Sequence, residues 1–240
     1  MRIYGKNPVI ERLRANPASI NKITIQRDFK EAAYIQKKAK QRGIPVRIVD
    51  KSMIHKMTRN SNAQGVIADL TDFEYLPYDE LLEYALKKKR VVLFLDELND
   101  PQNLGAMIRS LGCFGHFSMV LPTHKSVEVT ESVLRVASGG ENYVQFAKVG
   151  NINKALRAAK ELGFHITGAV PADGEPIDEV KFQFPLGLVI GSEQKGIRDV
   201  VAKELDQRIS IPMHVGTVTF NAAAATTILC YEITRQKNQK

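Results

Sequence analysis

The chain has 240 residues, which is enough for two modest domains or one large one with a buried core. No apolar run approaches the ~20 residues of a membrane span, and the N-terminus lacks the apolar segment of a signal peptide, so we expect a soluble, cytoplasmic protein. Cys113 and Cys230 are too few, and too far from His or Cys partners, for a disulfide framework or a zinc site. We expect both thiols to be buried and reduced.

The positive charge is concentrated in the first quarter of the chain. Residues 1–60 hold 15 Lys or Arg against 4 Asp or Glu, and the remaining residues hold 19 against 22, so a net charge of +11 precedes one of −3. A concentrated positive face is typical of a protein that binds a polyanion, most often nucleic acid. A solvated lysine-rich surface is the alternative.

Short strands alternate with helices over the first 75 residues. We predict a helix that starts within residues 5–8 with Asn7 as its cap, and a second helix over 28–42 that is capped by Asp28. The other predicted elements are strands over 23–25, 46–49 and 65–70 and a helix over 51–57. This order indicates a small layered α/β domain.

Cations cluster near the C-terminal end of the predicted helix over 28–42. The candidate nucleic-acid contacts among them are Lys37, Lys38, Lys40 and Arg42. Cations at this end of a helix also suit the helix dipole, so part of the cluster has a purely structural explanation.

Residues 76–90 are predicted to form a linker that ends in a helix, and the second domain starts at residue 91. That domain opens with a buried strand over 91–95, a polar loop over 96–105 and a helix over 106–111. Further strands are predicted over 119–121, 143–146, 165–170 and 186–190, and further helices over 130–137, 152–162 and 222–235. The alternation indicates an α/β domain with a largely parallel sheet.

Two junctions between a strand and a loop carry the residues that a ligand pocket needs, one over 191–196 and the other over 209–213. Ligands of open α/β sheets lie beyond the carboxyl ends of strands, where backbone N–H groups are free and glycine permits close approach. The first junction is not a triphosphate loop, because Ile197 and Arg198 stand where such a loop needs Lys and Ser or Thr. No G-x-G-x-x-G follows a strand, which disfavours dinucleotide-dependent enzymes.

Three motifs in the second domain resemble those of a known family. They are residues 99–109 (NDPQNLGAMIR), 190–197 (IGSEQKGI), and 209–213 (ISIPM) with Asn221 and 231–236 (YEITRQ). They resemble the motifs of the SpoU-type (TrmH/RlmB-like) RNA 2′-O-ribose methyltransferases of the SPOUT superfamily. The resemblance covers residues 91–240. Residues 1–75 resemble the substrate-binding domain that many members carry in front, which is similar to RNA-binding ribosomal proteins.

The resemblance implies a knotted α/β methyltransferase domain, with a trefoil knot in a parallel sheet, preceded by a small α/β RNA-binding domain. It implies S-adenosyl-L-methionine as the cofactor, a ribose 2′-hydroxyl as the acceptor and a homodimer formed through the C-terminal domain, without a metal or a membrane. The expected substrate is 23S-type large-subunit ribosomal RNA, with guanosine favoured. A transfer RNA methyltransferase, or a catalytically weak RNA-binding or ribosome-assembly protein, is the alternative.

The family's motifs place four residues at the reaction centre: Asn103, Arg109, Glu193 and Asn221. We expect Arg109 to anchor the adjacent phosphate and stabilise the developing oxyanion, because a guanidinium is hard to deprotonate; an ion pair on the helix surface is the alternative. The two asparagines hold the ribose or brace the pocket, although Asn103 could be only a helix cap. Glu193 fixes Arg109 or orients the substrate, unless it is a plain loop carboxylate.

The resemblance also implies that the cofactor is held mainly by backbone groups. The candidate cofactor-binding residues are Thr167, Gly168, Ala169, Ile190, Gly191, Ile211, Met213, Thr219 and Phe220. Ile211 and Phe220 could be simple core. The third motif departs from the family, because Ala223 stands where members have a second serine and a preceding glycine is shifted to Gly216.

Overall fold

Two β-sheets organise the chain in the computed structural model, which describes residues 1–58, 63–214 and 218–239. The expected glycine shift at Gly216 lies outside these residues. None of the helices within the described ranges combines the length and apolar character needed to cross a bilayer.

The first sheet has four strands in the order β1-β4-β2-β3. Its strands are β1 Arg2–Tyr4, β2 Ile20–Gln26, β3 Val46–Val49 and β4 Val66–Leu70, and its helices are α1 Lys6–Ala15, α2 Ala32–Gln41 and α3 Lys51–Thr58. Strands β2 and β3 are parallel, and the other neighbours are antiparallel. Successive side chains of a strand point to opposite faces, so Val66 and Ala68 pack in the core that holds α1 and α2. Ile67 packs with Ile54 of α3 on the other face.

Helix α1 starts within the predicted range, but both helix caps predicted for this region are wrong. Helix α1 begins at Lys6 after Gly5, whose φ of 102° suits glycine, so Asn7 lies inside the helix and is not its cap. Helix α2 begins at Ala32, with no side-chain cap, and Asp28 lies before it. The chain instead makes turns after β2, in which the Phe29 N–H donates to the Gln26 carbonyl and the ring packs against the core.

The second sheet has seven strands in the order β7-β6-β5-β10-β8-β11-β9, and every neighbouring pair is parallel. The strands are β5 Val91–Asp96, β6 Phe117–Pro122, β7 Gln145–Val149, β8 His165–Ala169, β9 Glu175–Pro176, β10 Leu186–Gly191 and β11 Gln207–Ser210. The predicted largely parallel sheet is confirmed. Strands β1 and β9 were not predicted from the sequence; they have three and two residues.

Helices cover both faces of the second sheet. They are α4 Tyr78–Lys87, α5 Pro101–Phe114, α6 Glu131–Ala137, α7 Ile152–Glu161, α8 Asp199–Ala202 and α9 Ala222–Lys237. Leu93 of β5 faces the layer of α5, α6 and α9, whereas Val92 and Phe94 face the layer of α4, α7 and α8. Cys230 of α9 is buried as expected, but Cys113 is exposed, because it lies on the solvent side of α5.

Helix α5 begins five residues earlier than predicted. The Asp100 carboxylate accepts a hydrogen bond from the Gln102 N–H at 2.8 Å, and Pro101 occupies the first helical position. Asn103 is therefore a residue of the first turn, and the proposal that it caps the helix is wrong.

A buried ion pair joins the two sheet units. Arg12 of α1 contacts the Glu141 carboxylate at 3.0 Å, and the Gly139 N–H donates to the other carboxylate oxygen at 3.1 Å. Burial lowers the pKa of Arg12 and raises the pKa of Glu141, in each case against the attraction of the partner. A second contact lies beside it, where Arg135 of α6 donates to the Tyr4 hydroxyl at 2.7 Å. Both contacts cross between the sheets, so the N-terminal unit is docked on the C-terminal one.

Replacing Arg12 with methionine should leave Glu141 buried without its partner. We expect Arg12→Met to lower the free energy of unfolding by about 3 to 5 kcal/mol, measured by urea titration with circular dichroism. The control Arg27→Met breaks an exposed pair with Asp50, 3.5 Å apart, and should cost less than about 1 kcal/mol. Equal losses in the two variants would show that the buried pair does not stabilise the docked units.

Candidate functional site

A cavity of about 390 Å³ lies at the carboxyl edge of the second sheet. It opens where β8, β10 and β11 end, and the first turns of α9 close one side. This is the edge at which parallel sheets bind ligands, and it is the place that the two polar junctions predicted.

Most of the candidate cofactor-binding residues line this cavity. Those that line it are Ala169, Ile190, Gly191, Ile211, Met213, Thr219 and Phe220. Thr167 and Gly168 do not, because both lie inside β8, where the backbone pairs with β10 on one side and β11 on the other. Thr167 is fully buried, and a Cβ at Gly168 would lie 2.4 Å from Leu205. All three residues 167–169 belong to β8, where a strand was predicted, and only Ala169 reaches the cavity.

The loop after β10 folds back on itself beside the cavity. The Ser192 N–H donates to the Gly196 carbonyl at 3.1 Å, and the Gly196 N–H donates back at 2.8 Å. A Cβ at Gly191 would lie 2.1 Å from the carbonyl carbon of Gly196, so only glycine fits there. The loop thereby presents bare backbone to the cavity.

A buried carboxylate fixes the end of this loop. Asp96, the last residue of β5, is fully buried and accepts the Arg198 N–H at 2.9 Å and the Arg198 side chain at 2.8 and 2.6 Å. Arg198 also contacts Glu97 at 3.2 Å, and these hydrogen bonds and charges raise the pKa of Arg198. The sequence analysis missed this pair; an acidic residue at the end of a buried apolar run was the signal available.

Asn103 and Glu193 meet at the loop. The Asn103 amide donates to the Glu193 carboxylate, and Asn103 is buried while Glu193 is exposed. No hydrogen bond or ion pair joins Glu193 to Arg109 within the described residues, so the expectation that Glu193 fixes Arg109 is not met in this structure. The partner that Glu193 does have is 90 positions away in the chain.

Arg109 is exposed on α5, two turns after Pro101. Among the residues that the structure describes it has no ion-pair partner, so the alternative of a helix-surface ion pair is not what the structure shows. Its backbone is tightly packed, because a Cβ at Gly140 would lie 2.8 Å from the Arg109 Cα. The guanidinium therefore extends from a rigid point of the helix.

Asn221 is the N-cap of α9. Its side-chain oxygen accepts the Ala224 N–H at 2.7 Å, which leaves its amide group as the part that can contact a ligand. Ala223 is buried and is not among the residues that line the cavity, whereas Ala222 and Ala225 are. A serine at position 223 would therefore lie in the core.

The small-residue face of α9 packs within the chain. Helices α5 and α9 lie side by side, and the hydroxyls of Ser110 and Thr227 are 2.7 Å apart. Helix α5 therefore covers the face of α9 that carries Ala223 and Thr227. The apolar residues left exposed near this helix are Val218, Phe220 and Tyr231.

A second crevice of about 460 Å³ lies between residues 97–101 and 192–195. Glu193 lines both this crevice and the first cavity. Across the described ranges, no group of three or more His, Cys, Asp or Glu is arranged to hold a metal ion.

The four candidate RNA contacts lie together on the first unit. Lys37, Lys38 and Lys40 of α2 are exposed, as is Arg42, which follows the helix. Lys38 and Lys40 lie in the last turn and Arg42 is the C-cap residue, where cations also suit the helix dipole.

Family profiles cover most of the chain. The SpoU rRNA Methylase family matches residues 90–231, and the family of RNA 2′-O ribose methyltransferase substrate-binding domains matches residues 2–76. A protein from Synechocystis named as a tRNA/rRNA methyltransferase is 34% identical over 98% of this chain, which spans 62% of that relative's length. A protein from Bacillus subtilis named for the TrmH family of tRNA/rRNA methyltransferases is 31% identical, with 98% and 96% of the two chains covered.

Solved structures share the fold. A TrmH-family RNA methyltransferase from Porphyromonas gingivalis superposes with a TM-score of 0.76 at 26% identity, over 98% of this chain and 89% of that one. An AdoMet-bound rRNA methyltransferase from Sinorhizobium meliloti gives 0.78 at 23% identity, over 98% and 86%.

Proposed function

Because this chain belongs to the SpoU rRNA Methylase family, we propose that it methylates a ribose 2′-hydroxyl of RNA with S-adenosylmethionine as the methyl donor. The observation that carries the proposal is the cavity at the ends of β8, β10 and β11, next to Asn103 and Glu193. The basic N-terminal unit, which matches the substrate-binding family, supplies the contact with RNA.

The residues around the cavity fit the cofactor. Its volume of about 390 Å³ lies within the range of ligand pockets, ~300 to 1,000 Å³. Ile190, Ile211 and Phe220 give apolar surface for the adenine, and the backbone around Gly191 gives hydrogen-bonding groups for the polar parts. When bound, the cofactor supplies a methyl group on a sulfonium, which is ready for transfer to a nucleophile.

Residues of this chain must align the ribose hydroxyl and help to remove its proton. A ribose 2′-hydroxyl is a poor nucleophile, so it must be aligned and must lose its proton as the new bond forms. Glu193, held by Asn103 at the edge of the cavity, accepts a hydrogen bond from that hydroxyl, orients it and takes its proton on the carboxylate as the new bond forms. The Asn221 amide, steadied by its capping role, contacts the ribose.

Arg109 is proposed to interact with the negative charges of the substrate. A guanidinium stays protonated at neutral pH, so Arg109 is an electrostatic anchor for the phosphate next to the target ribose and not the base. It also stabilises the negative charge that develops on the 2′-oxygen. Its exposed position with no ion-pair partner among the described residues leaves both N–H edges free for this work.

The substrate in this proposal is large-subunit ribosomal RNA, with guanosine as the favoured nucleoside. Transfer RNA is the alternative, since relatives are named for both kinds of RNA. A catalytically weak RNA-binding or ribosome-assembly protein is the rival from another class. The same proposal includes a trefoil knot in the C-terminal domain. It also divides the chain into an RNA-binding domain over 1–75, a linker over 76–90 and a methyltransferase domain over 91–240.

The test combines cofactor binding with methyl transfer. We expect calorimetry to give micromolar affinity for S-adenosylmethionine, and a tritiated-methyl assay to label ribosomal RNA fragments. Labelling of transfer RNA alone would keep the enzyme and replace its substrate. Absence of cofactor binding would favour the non-catalytic RNA-binding protein.

Replacing Arg109 tests its role in charge stabilisation. If Arg109 acts mainly in the transition state, Arg109→Ala should lower the turnover number at least about a hundredfold and leave cofactor affinity nearly unchanged. Arg109→Lys should not restore activity, because a point charge lacks the planar fork. Arg157→Ala is the control, as Arg157 pairs on the surface with Glu204. A fully active lysine variant would contradict the bidentate role.

Two copies of the chain form the functional unit through the C-terminal domain. Since α5 covers the face of α9 that carries Ala223 and Thr227, the exposed Val218 and Tyr231 supply the apolar surface for the contact. Light scattering at micromolar concentration should give the mass of a dimer, and Tyr231→Asp should shift it toward the monomer. A monomer in the unmodified protein would refute this part of the proposal.

A further inference from the structure

A small cavity in the N-terminal unit lies apart from the methyl-transfer site. Its volume is about 240 Å³, and it is lined by Leu13, Arg14, Tyr34, Lys38, Gln41 and Arg42. It is formed between α1 and α2, because positions 34, 38 and 41 follow the helical spacing and share the face of α2 that meets α1.

The side chains around this cavity combine three cations with an exposed aromatic ring. Tyr34 is 40% exposed, although a ring of this size is usually largely buried. Lys38 and Arg42 are exposed beside it, and Leu13 gives an apolar floor. Cations next to an exposed ring are the combination that proteins use for unpaired nucleotides, in which a base stacks and the backbone phosphate is neutralised.

Arg14 is already oriented toward the ring. The Tyr34 hydroxyl beside it and an ion pair with Glu11 at 3.3 Å raise the pKa of Arg14. Glu11 also accepts a hydrogen bond from the Tyr143 hydroxyl, which comes from the C-terminal unit. Contacts between both units therefore hold the wall of the cavity in place.

We propose that the cavity between α1 and α2 binds one unpaired nucleotide of the RNA substrate, with its base on Tyr34 and its phosphate among Arg14, Lys38 and Arg42. The inference rests on the proposed function and names the contact by which the N-terminal unit holds RNA. An unpaired nucleotide is required, because the bases of an A-form duplex are stacked inside the helix and cannot reach a ring in a cavity of this size.

The cavity is connected to the methyl-transfer side of the molecule. Tyr143 ends the 3-10 helix Gly140–Tyr143, and Gly140 at its start packs against the backbone of Arg109. Contacts from Arg14 through Glu11 and Tyr143 to Gly140 thus link the wall of this cavity to α5, the helix that carries Arg109.

Fluorescence anisotropy with a labelled single-stranded RNA of about ten nucleotides tests the stacking contact. Tyr34→Ala should weaken binding about 5- to 150-fold, and by a similar factor at low and at high salt, because stacking is not screened. Tyr34→Phe keeps the ring and should bind within about threefold of the unmodified protein. Unchanged thermal unfolding and cofactor affinity show that each variant is folded.

The cations are tested by salt dependence. Lys38→Gln and Arg42→Gln should each reduce the slope of log affinity against log salt by up to about 0.7, the value for one phosphate of a single strand. The control is Lys56→Gln, which removes the same charge from α3 on the opposite face of the sheet and should leave the slope unchanged.

Two results would overturn the inference: equal RNA affinity in Tyr34→Ala and the unmodified protein, or equally strong binding of a duplex of the same length. These results are independent of the proposed function. If the unmodified protein methylates RNA while Tyr34→Ala keeps full affinity, only the nucleotide contact is lost. If it binds RNA through Tyr34 without transferring methyl groups, the contact stands and the enzymatic proposal fails.

Discussion

The site depends on the contact between Asp96 and Arg198. A carboxylate that is fully buried is costly unless it is paired and hydrogen-bonded, and Asp96 receives three hydrogen bonds or charge contacts from one residue. These contacts tie the end of β5 to the chain just after the loop 191–196. The loop supplies backbone to the cavity at the sheet edge and positions Glu193 against Asn103, so both the cavity wall and the position of Glu193 depend on the contact between Asp96 and Arg198.

Much of the fold could be predicted from the sequence, because long buried strands such as β5 and β10 leave continuous apolar runs. Strands β1 and β9 could not, since two or three residues carry no periodic signal. The start of α5 was missed for a local reason, because Asp100 and Pro101 form the helix start inside what read as a polar loop. At the site, seven of the nine candidate cofactor-binding residues line the cavity, but the sequence did not indicate that β8 would enclose Thr167 and Gly168. The partner of Glu193 could not be predicted either. Asn103 is 90 positions away in the chain, and the loop before it offered several other polar residues.

The buried pair of Arg12 and Glu141 gives the two units a fixed relation. A flexible linker would let a basic domain raise the local concentration of RNA without directing it. Docking through α1 and the turn at Gly139–Gly140 instead sets the distance between the basic surface and α5. Under the proposed function, the N-terminal unit therefore attracts RNA by its charge and also sets the distance between the bound RNA and α5. RNA whose shape fits this distance is favoured.

Glu193 lines both the cavity at the sheet edge and the crevice beside residues 97–101, so one short loop forms a wall that two binding sites share. A ligand that orders this loop from one side lowers the conformational entropy that a second ligand loses on the other side. If the cavity holds the methyl donor and the crevice holds part of the RNA acceptor, the affinities for the two ligands are linked, and the factor by which one strengthens the other is the same in both directions. Such a link favours an ordered kinetic cycle. The complex of protein, donor and RNA is then more stable than the affinities measured for each ligand alone imply. The demethylated donor is released more readily once the RNA has dissociated.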